Sequence, residues 1–457
     1  MPAGCKLLDL KPKEANVKSL NSINEKNDTS PFLDSFEEAF AVALEGLSDI
    51  DDKNMGPTTP IAFVEPREAS ESIWEMSSEA AERTLHYIYD ELHHTCYMLV
   101  VKENKPTLYK LRTSGIPKYY EEEILKASAS NPEFKAYAKE IPNLRILQCL
   151  VKSRGDEDNM SVEYNRLFKE LSVSLPNGVY ILNLTDAVIF RKDGRTPWGK
   201  VSEYANGKML PILGGSGAVG FYDIPIPNYD DVRIGLGYTK LDKYELDWNK
   251  KKYKAVFRGT PSGCGTHEDT NMRIRIAEMK IDKDILDAGI TRTGEGTARF
   301  DPVHGLSVLT TTSKGVPRMS LVDQSKHKYM VHIDGNVAAY RLLQSMMTGS
   351  VQLIVKGKYT LWVDHMLTEG KHYIGVKGDL SDLEEKIKWC IAHDEECKQI
   401  SKNALEAASI FLTRNYIETA LRITLHQTKI TAMKRSGGYK KTRRRRMKRK
   451  NRRTLRR

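Results

Sequence analysis

Apolar positions along the chain follow two spacings. Short unbroken runs rich in β-branched, aromatic and aliphatic residues predict strands at Cys96 to Val101 (CYMLVV), Thr107 to Leu111, Ile146 to Val151, Gly178 to Leu184 (GVYILNL), Ala255 to Phe257, Lys328 to Ile333 (KYMVHI), Gly349 to Val355 and Tyr373 to Val376. Between them the apolar residues recur three and four apart, which predicts helices. These cover Glu71 to His94 (Ile73, Met76, Ala80, Leu85, Ile88, Leu92), Tyr119 to Ala129, Pro132 to Lys139 and Val162 to Leu171. Further helices are predicted from Arg273 (Ile274, Ala277, Ile281), over Val337 to Met347, from Ser381 past Trp389, and over Lys398 to Leu425. The first two strands read as a hairpin across Glu103 to Pro106, and Gly155 to Asn159 as an acidic loop. GVYILNL lacks alternation and suits a strand buried on both faces of a parallel sheet. Strands alternating with helices predict an α/β protein with largely parallel sheets, in two Rossmann-like domains facing a cleft. The boundaries fall at a flexible N-terminal extension, 1–60, an N-terminal domain, 61–245, a C-terminal domain, 246–430, and a disordered basic tail, 431–457.

Charge changes this picture at one end only. The chain of 457 residues carries a formal net charge of +11, but 15 Lys and Arg and no acidic residue lie between Lys434 and Arg457. The rest holds 56 basic against 60 acidic residues, so the body has no nucleic-acid footprint. The tail fits a tether to nucleic acid or an anionic membrane surface, a nuclear-localisation signal, or a solvated tail with no specific partner. Six cysteines (5, 96, 149, 264, 390 and 397) form no CxxC pair, so reduced thiols are expected, with three long-range disulfides as the alternative. The first 20 residues have no apolar signal core, and no window approaches 18 apolar residues. A soluble, intracellular protein without a membrane span is the expectation.

Candidate chemistry gathers around Tyr253 to Glu278. An apolar run ends on Arg258-Gly259, a loop of Gly, Ser, Thr, Pro and acidic residues follows, and Arg273 opens a helical segment. Strand, glycine- and hydroxyl-rich loop and arginine-led helix together hold anions; a surface loop with incidental arginines is the open alternative. Arg258 and Arg273 offer planar forks for phosphate oxygens. A second strand–turn–helix unit with glycine in its turn, Asp334-Gly335-Asn336, aims helix amides at the same cleft. Asp186 follows the GVYILNL strand, where ligand crevices lie in open α/β sheets; it reads as a proton acceptor or as a simple cap. Gly215-x-Gly217-x-x-Gly220 is not a dinucleotide fingerprint, because Pro225 and Pro227 forbid the helix it requires. The Asp-x-Asp pairs at 49/51, 156/158 and 282/284 follow no convincing strand, and His93, His94, His365 and His372 lack matching ligand partners. No metal site is expected.

Several of these residues recur as an ordered set. It comprises Asp186, Phe221-Tyr222-Asp223-Ile224 with Pro227, Phe257-Arg258-Gly259-Thr260, Asn271-x-Arg273, Asp334-Gly335-Asn336-x-Ala338-Ala339-x-Arg341, Thr348-Gly349-Ser350, His372-Tyr373 and Asp379 to Leu383. The set resembles glycosyltransferase family 90, which includes Rumi-type protein O-glucosyltransferases and capsule-associated xylosyltransferases. The resemblance covers residues from about 175 to 425. It implies a GT-B fold and inverting transfer of glucose or xylose from a UDP-sugar to a hydroxyl of a glycan or protein, with no metal or cofactor. By the same resemblance Asp186 is the catalytic base. The donor set is Arg258, Gly259, Thr260, Arg273, Asp334, Gly335, Asn336, Val337, Ala338, Ala339 and Arg341. Tyr222 and Asp223 line the acceptor groove, with Tyr229 in the segment that replaces a tryptophan-rich acceptor stretch of the Rumi-type enzymes. Luminal members carry a signal peptide and disulfides, which this sequence does not suggest, and residues 61–174 match poorly. The tail is similar in composition to tails on proteins of large DNA viruses of algae, which would place the protein in host cytoplasm or a virion. The contrasting expectation is a non-catalytic sugar- or nucleotide-binding module tethered by the tail.

Overall fold

The computed structural model describes residues 32–33, 74–76, 78–88, 96–111, 155–171, 175–184, 188–193, 209–263, 265–291, 298–301, 303–428 and 430–432. Two sheets organise them. The first has eight strands: β1 (Phe32–Leu33), β2 (Trp74–Met76), β3 (Cys96–Lys102), β4 (Lys105–Leu111), β5 (Gly178–Asn183), β6 (Ile212–Gly214), β8 (Asp223–Pro225) and β17 (Ile430–Ala432). Between β6 and β8, β7 (Gly217–Ala218) turns away to pair antiparallel with β15 (Tyr359–Thr360). The second sheet is wholly parallel, in the order β10 (Leu286–Ile290), β9 (Lys252–Gly259), β13 (His327–His332), β14 (Val351–Val355), β16 (Ile374–Val376). A hairpin, β11 (Ala298–Asp301) and β12 (Gly305–Val308), stands apart from both sheets. The helices are α1 (Ser78–His86), α2 (Gly155–Glu170), α3 (Tyr229–Gly235), α4 (Met272–Glu278), α5 (Leu321–Gln324), α6 (Leu342–Met346), α7 (Leu383–Ala392), α8 (Asp394–Phe411) and α9 (Arg414–Thr428).

The largely parallel architecture holds for the second sheet and fails for the centre of the first. β3 and β4 close through a two-residue turn, Glu103 and Asn104, both at positive φ (49° and 61°), a geometry that forces antiparallel pairing. β5 then runs antiparallel to β3 but parallel to β6, and β6 parallel to β8. Every residue of β5 is buried, as its unbroken apolar run requires.

Several element boundaries differ from the periodicity. Trp74–Met76 belongs to a strand, drawn out of the helical reading by parallel pairing with β17. Gly155 to Asn159 is the first turn of α2, where Asp156, Glu157 and Asp158 sit at the positive end of the helix dipole. The long C-terminal helix breaks at Leu412 and Thr413 into α8 and α9. The helix expected over Val337 to Met347 contracts to the five residues of α6, which has no side-chain cap. Residues 335–341 are irregular instead, because Asp334 Oδ1 accepts from Ala339 N (3.2 Å) while Val337 and Ala338 turn into the core. The helices at 119–129 and 132–139, the strand at 146–151, most of 1–60 and the basic tail beyond 432 lie outside the described residues.

Two apolar cores result. One gathers β3, β5 and β6 with α2 and α9; the other gathers β9, β13, β14 and β16 with α7 and the start of α8. The segment after β13 crosses between them: Val337, Ala338, Leu342, Leu343 and Met346 pack into the first core, with Trp362. Cys96, Cys390 and Cys397 are buried thiols outside any disulfide among the described residues. No described helix is long and apolar enough to cross a membrane.

Candidate active site

β9 and β13 are parallel neighbours, so Arg258-Gly259 and Asp334-Gly335 leave the same edge of the second sheet. Asn271 caps α4 there. Its Oδ1 accepts from the amides of Arg273 (3.0 Å) and Ile274 (3.3 Å), and its Nδ2 donates to the carbonyls of Gly265 (3.2 Å) and Pro261 (3.4 Å). One side chain therefore shapes the loop and starts the helix.

Three arginines meet at this edge, and their partners separate their roles. Arg258 turns sideways to β10, donating to the carbonyls of Phe257 and Asp287 (both 2.9 Å) and to Asp287 Oδ1 (2.7 Å). Arg273 braces two loops. It donates from Nε to Asp334 O (3.0 Å), from Nη1 to Thr260 O (3.2 Å) and Ser262 Oγ (2.6 Å), and from Nη2 to Ile333 O (2.9 Å). Arg341 gives one bond, Nη2 to Arg258 O (3.0 Å), and its other N–H groups find no partner among the described residues. Gly335 is required by this packing: a Cβ there would stand 2.9 Å from Ser262 Oγ and 3.0 Å from Arg273 Nη2. Asn336 Oδ1 accepts from Gly263 N (3.0 Å), tying the two loops a second time.

The electrostatics are those of a half-buried cationic pocket. Burial, then the neighbouring Arg341 charge, lowers the Arg273 pKa to about 10, with Asp334 opposing. Burial also lowers that of Arg341. His332, at the end of β13, is pushed down to about 3 by burial and by both arginines, so it is neutral. Burial raises Asp334 to about 7 against its bond from Ala339 and the pull of Arg273. Asp364 is raised to about 6 by burial. Two guanidinium charges thus share a site whose carboxyls are reluctant to ionise.

The remaining residues singled out in the sequence divide as follows. Thr260 contributes its carbonyl to Arg273, Gly259 lies under the Phe257 ring, and Ala339 contributes its amide to Asp334. Val337 and Ala338 are core residues, so only the backbone of that stretch can face a ligand. Tyr222 is half-buried, with the Lys192 ammonium 5.8 Å from its ring centre. Tyr229 opens α3, and its hydroxyl accepts from Arg233 Nη1 (2.7 Å). Asp223 does not line an open wall: it is 6% exposed, and its oxygens accept from the amides of Ile189 (2.9 Å) and Phe190 (2.8 Å). Asp186 lies outside the described residues, between buried Leu184 and Val188. The sequence reading missed Ser262, Asp287, His332 and Asp364. No spacing marks them, because each is recruited by a partner far along the chain.

His267, Asp301 and His304 bring ligand-type atoms within 4.8 Å of one another. Asp301 is nevertheless saturated. It accepts from the amides of Thr266, Val303 and His304 and from the hydroxyls of Thr266 and Thr270, fastening the β11–β12 turn to the loop. His304 Nε2 pairs instead with Asp269 (2.9 Å). The donor set suits a hydrogen-bonded clasp better than a metal, and loop residues His267 and Asp269 are structural parts of it.

The end of β6 meets the arginine segment directly. A Cβ on Gly215 would stand 2.6 Å from the Tyr340 hydroxyl, so the first sheet's strand ends touch residues 334–341. The family model for glycosyl transferase family 90 matches residues 186–425, beginning on Asp186 and ending in α9. The chain belongs to glycosyl transferase family 90. Uncharacterised protein 035R of Invertebrate iridescent virus 3 is 30% identical over 271 residues, which cover 54% of this chain and 25% of that protein. Protein O-glucosyltransferase 3 of Rattus norvegicus is 30% identical over 243 residues, 50% of this chain and 42% of the relative. Protein O-glucosyltransferase 2 of Danio rerio is 28% identical over 269 residues, 56% and 48%. The chain spans less than half the length of each of these relatives. Among solved structures, Anabaena HepE in complex with UDP-glucose is similar at 14% identity and a TM-score of 0.30, over 49% of this chain and 65% of that one.

Proposed function

We propose that this family 90 chain is an inverting glycosyltransferase that moves glucose or xylose from a UDP-sugar to a hydroxyl of a glycan or protein. In this reading it has a GT-B arrangement, with 61–245 on the acceptor side and 246–430 on the donor side. The observation that carries it is the cationic pocket at the ends of β9 and β13. Arg341 and Arg273 lie together, half-buried, beside a buried, neutral His332, and Arg341 keeps most of its fork uncommitted. Burying two like charges is costly unless an anion joins them, and a diphosphate supplies that charge and the planar oxygen geometry that guanidinium matches.

The chemistry follows from the charges. Asp186 accepts the proton of the attacking hydroxyl as its oxygen bonds to the anomeric carbon. The bond from that carbon to the diphosphate oxygen breaks in the same displacement, which inverts the centre. Negative charge growing on the departing UDP is met by Arg341, while Arg273 holds both phosphate-side loops in place. Guanidinium charge here takes the part a divalent cation plays elsewhere, so the reading requires no metal. The contact of residues 334–341 with the end of β6 supports this reading, since a donor held there would lie beside the strand ends of the first sheet.

The test is UDP release from UDP-glucose and UDP-xylose by purified protein supplied with sugar and peptide acceptors. Turnover is expected with at least one donor, and Asp186→Asn should abolish it while UDP still binds. No turnover and no binding of any UDP-sugar would overturn the proposal, as would a fully active Asp186→Asn.

A further inference from the structure

His332 is a polar residue at the edge where β9 and β13 end that no internal partner explains. It is 5% exposed, yet neither ring nitrogen has a hydrogen-bond partner among the described residues. Buried polar groups are nearly always paired, and a buried donor left unmade costs stability. Two other buried histidines show the contrast. His327 Nδ1 donates to Gln324 O (3.3 Å), and His372 Nδ1 accepts from Thr368 N (2.9 Å).

The strand sets where the ring sits. Tyr329, Val331 and, just past the strand, Ile333 alternate into the second core, so Lys328, Met330 and His332 occupy the opposite face of β13. Thr348, just past α6, meets that face, its hydroxyl donating to Met330 Sδ (3.3 Å). Arg341, which opens α6, and Arg273 both lie close enough for their charges to act on the ring. Arg273 donates to the two carbonyls that follow it, Ile333 O (2.9 Å) and Asp334 O (3.0 Å). The carboxyls of the pocket, Asp334 and Asp364, accept from Ala339 N and Leu361 N and make no bond to the ring.

Two guanidinium charges forbid an imidazolium here. The neutral ring keeps one N–H to give, and it adds a donor to the pocket without adding a third positive charge. An N–H beside two guanidinium groups suits an acceptor that is anionic and presents several oxygens, as a phosphate does. We propose that His332 is a direct ligand of the donor diphosphate, giving its ring N–H to a phosphate oxygen alongside Arg341. This rests on the transferase reading above and adds a residue that the family resemblance did not supply. As charge grows on the departing UDP, this hydrogen bond strengthens together with that of Arg341, and the ring passes on no proton.

The test reads the ring directly. Protein labelled with ¹⁵N-histidine gives imidazole signals, and those lost in His332→Asn belong to His332. Saturating UDP should move them, and uridine at the same concentration should leave them in place. Calorimetry supplies a second reading. His332→Leu, which fills space without a donor, should bind UDP about tenfold more weakly, while His332→Asn, which keeps an N–H, should stay within about threefold of the wild type. His332 signals unmoved by saturating UDP, or moved equally by uridine, overturn the proposal. So does wild-type UDP affinity in His332→Leu, or equal weakening in both variants, which would mark a role in packing alone. If His332→Leu does not fold, the ring signals decide. Wild-type protein that binds no UDP overturns the transferase reading as well, whereas UDP binding with silent His332 signals overturns this proposal alone.

Discussion

Arg341, Arg273 and Arg258 carry the same charge within one site, yet only their partners tell their functions apart. Arg341 keeps most of its fork free, so Arg341→Ala should weaken UDP binding by about 2 kcal/mol, the range for a hydrogen bond to a charged group. Calorimetry checks this. Gly335→Ala should weaken UDP binding too, by displacing Arg273 rather than by removing a contact. Arg258 and Arg273 were legible in the sequence as candidate anion binders on either side of a glycine-rich loop, and Arg341 only through the family resemblance. Which of them is free was not, because Asp287 and the carbonyls of Ile333 and Asp334 reach them only through sheet pairing. Asp231 shows the same limit. Two residues after Tyr229, it is buried and accepts from Trp362 Nε1 (2.8 Å) and Asn228 Nδ2 (2.7 Å), partners that no spacing marks. Burial raises its pKa from 3.8 to about 7 against those two bonds, with Asp230 adding to the rise. The folded state therefore holds this proton more tightly than the unfolded chain, and its contribution to stability falls as pH rises from about 4 to 7. Asp223 and Asp334 act in the same sense; His332, lowered to about 3, opposes them below its ordinary value. Melting temperatures between pH 5 and 8 should fall for the wild type and fall less for Asp231→Asn, which keeps an acceptor for both donors. Equal slopes would remove Asp231 as a cause.

At the scale of elements, strands were read more faithfully than helices. Gly178–Asn183, His327–His332 and Val351–Val355 announce themselves because their burial on both faces leaves no polar alternation. The stretch after β13 misled because its apolar residues have helical spacing but serve the other core, and Asp334 captures the amide of Ala339 before a helix can form. The dipole argument for phosphate binding at that point fails with it, and the guanidinium groups replace it. Periodicity also hides polar keystones between elements. Lys328 of β13 is fully buried and pairs with Asp394 at the start of α8 (2.7 Å), its ammonium 3.4 Å from the Tyr253 ring centre and 4.7 Å from that of Trp248. Removing one member of a buried pair strands the other charge. Asp394→Ala should therefore destabilise by about 3 kcal/mol in chemical denaturation. Lys328→Met should cost much less, since Asp394 keeps its bonds from Trp248 Nε1 and Tyr253 Oη.

For the whole molecule, the ordered motifs pointed to the family because each sits where backbone geometry admits few residues: a glycine under a guanidinium, an asparagine cap, a carboxyl clamping a strand exit. The antiparallel centre of the first sheet was not legible, since a strand's burial says nothing of its direction. The two sheets communicate through the crossing of residues 334–346 into the first core and through Tyr340 against Gly215. The central claim is that this crossing segment and β9 build a diphosphate site that works through arginine. The most direct measurement is calorimetric binding of UDP to the wild type and to Arg341→Ala, both in excess EDTA. The account predicts binding by the wild type in EDTA and an affinity about thirtyfold lower for the variant. Wild-type protein that binds no UDP until a divalent cation is added, or a variant that binds as tightly as the wild type, would contradict it.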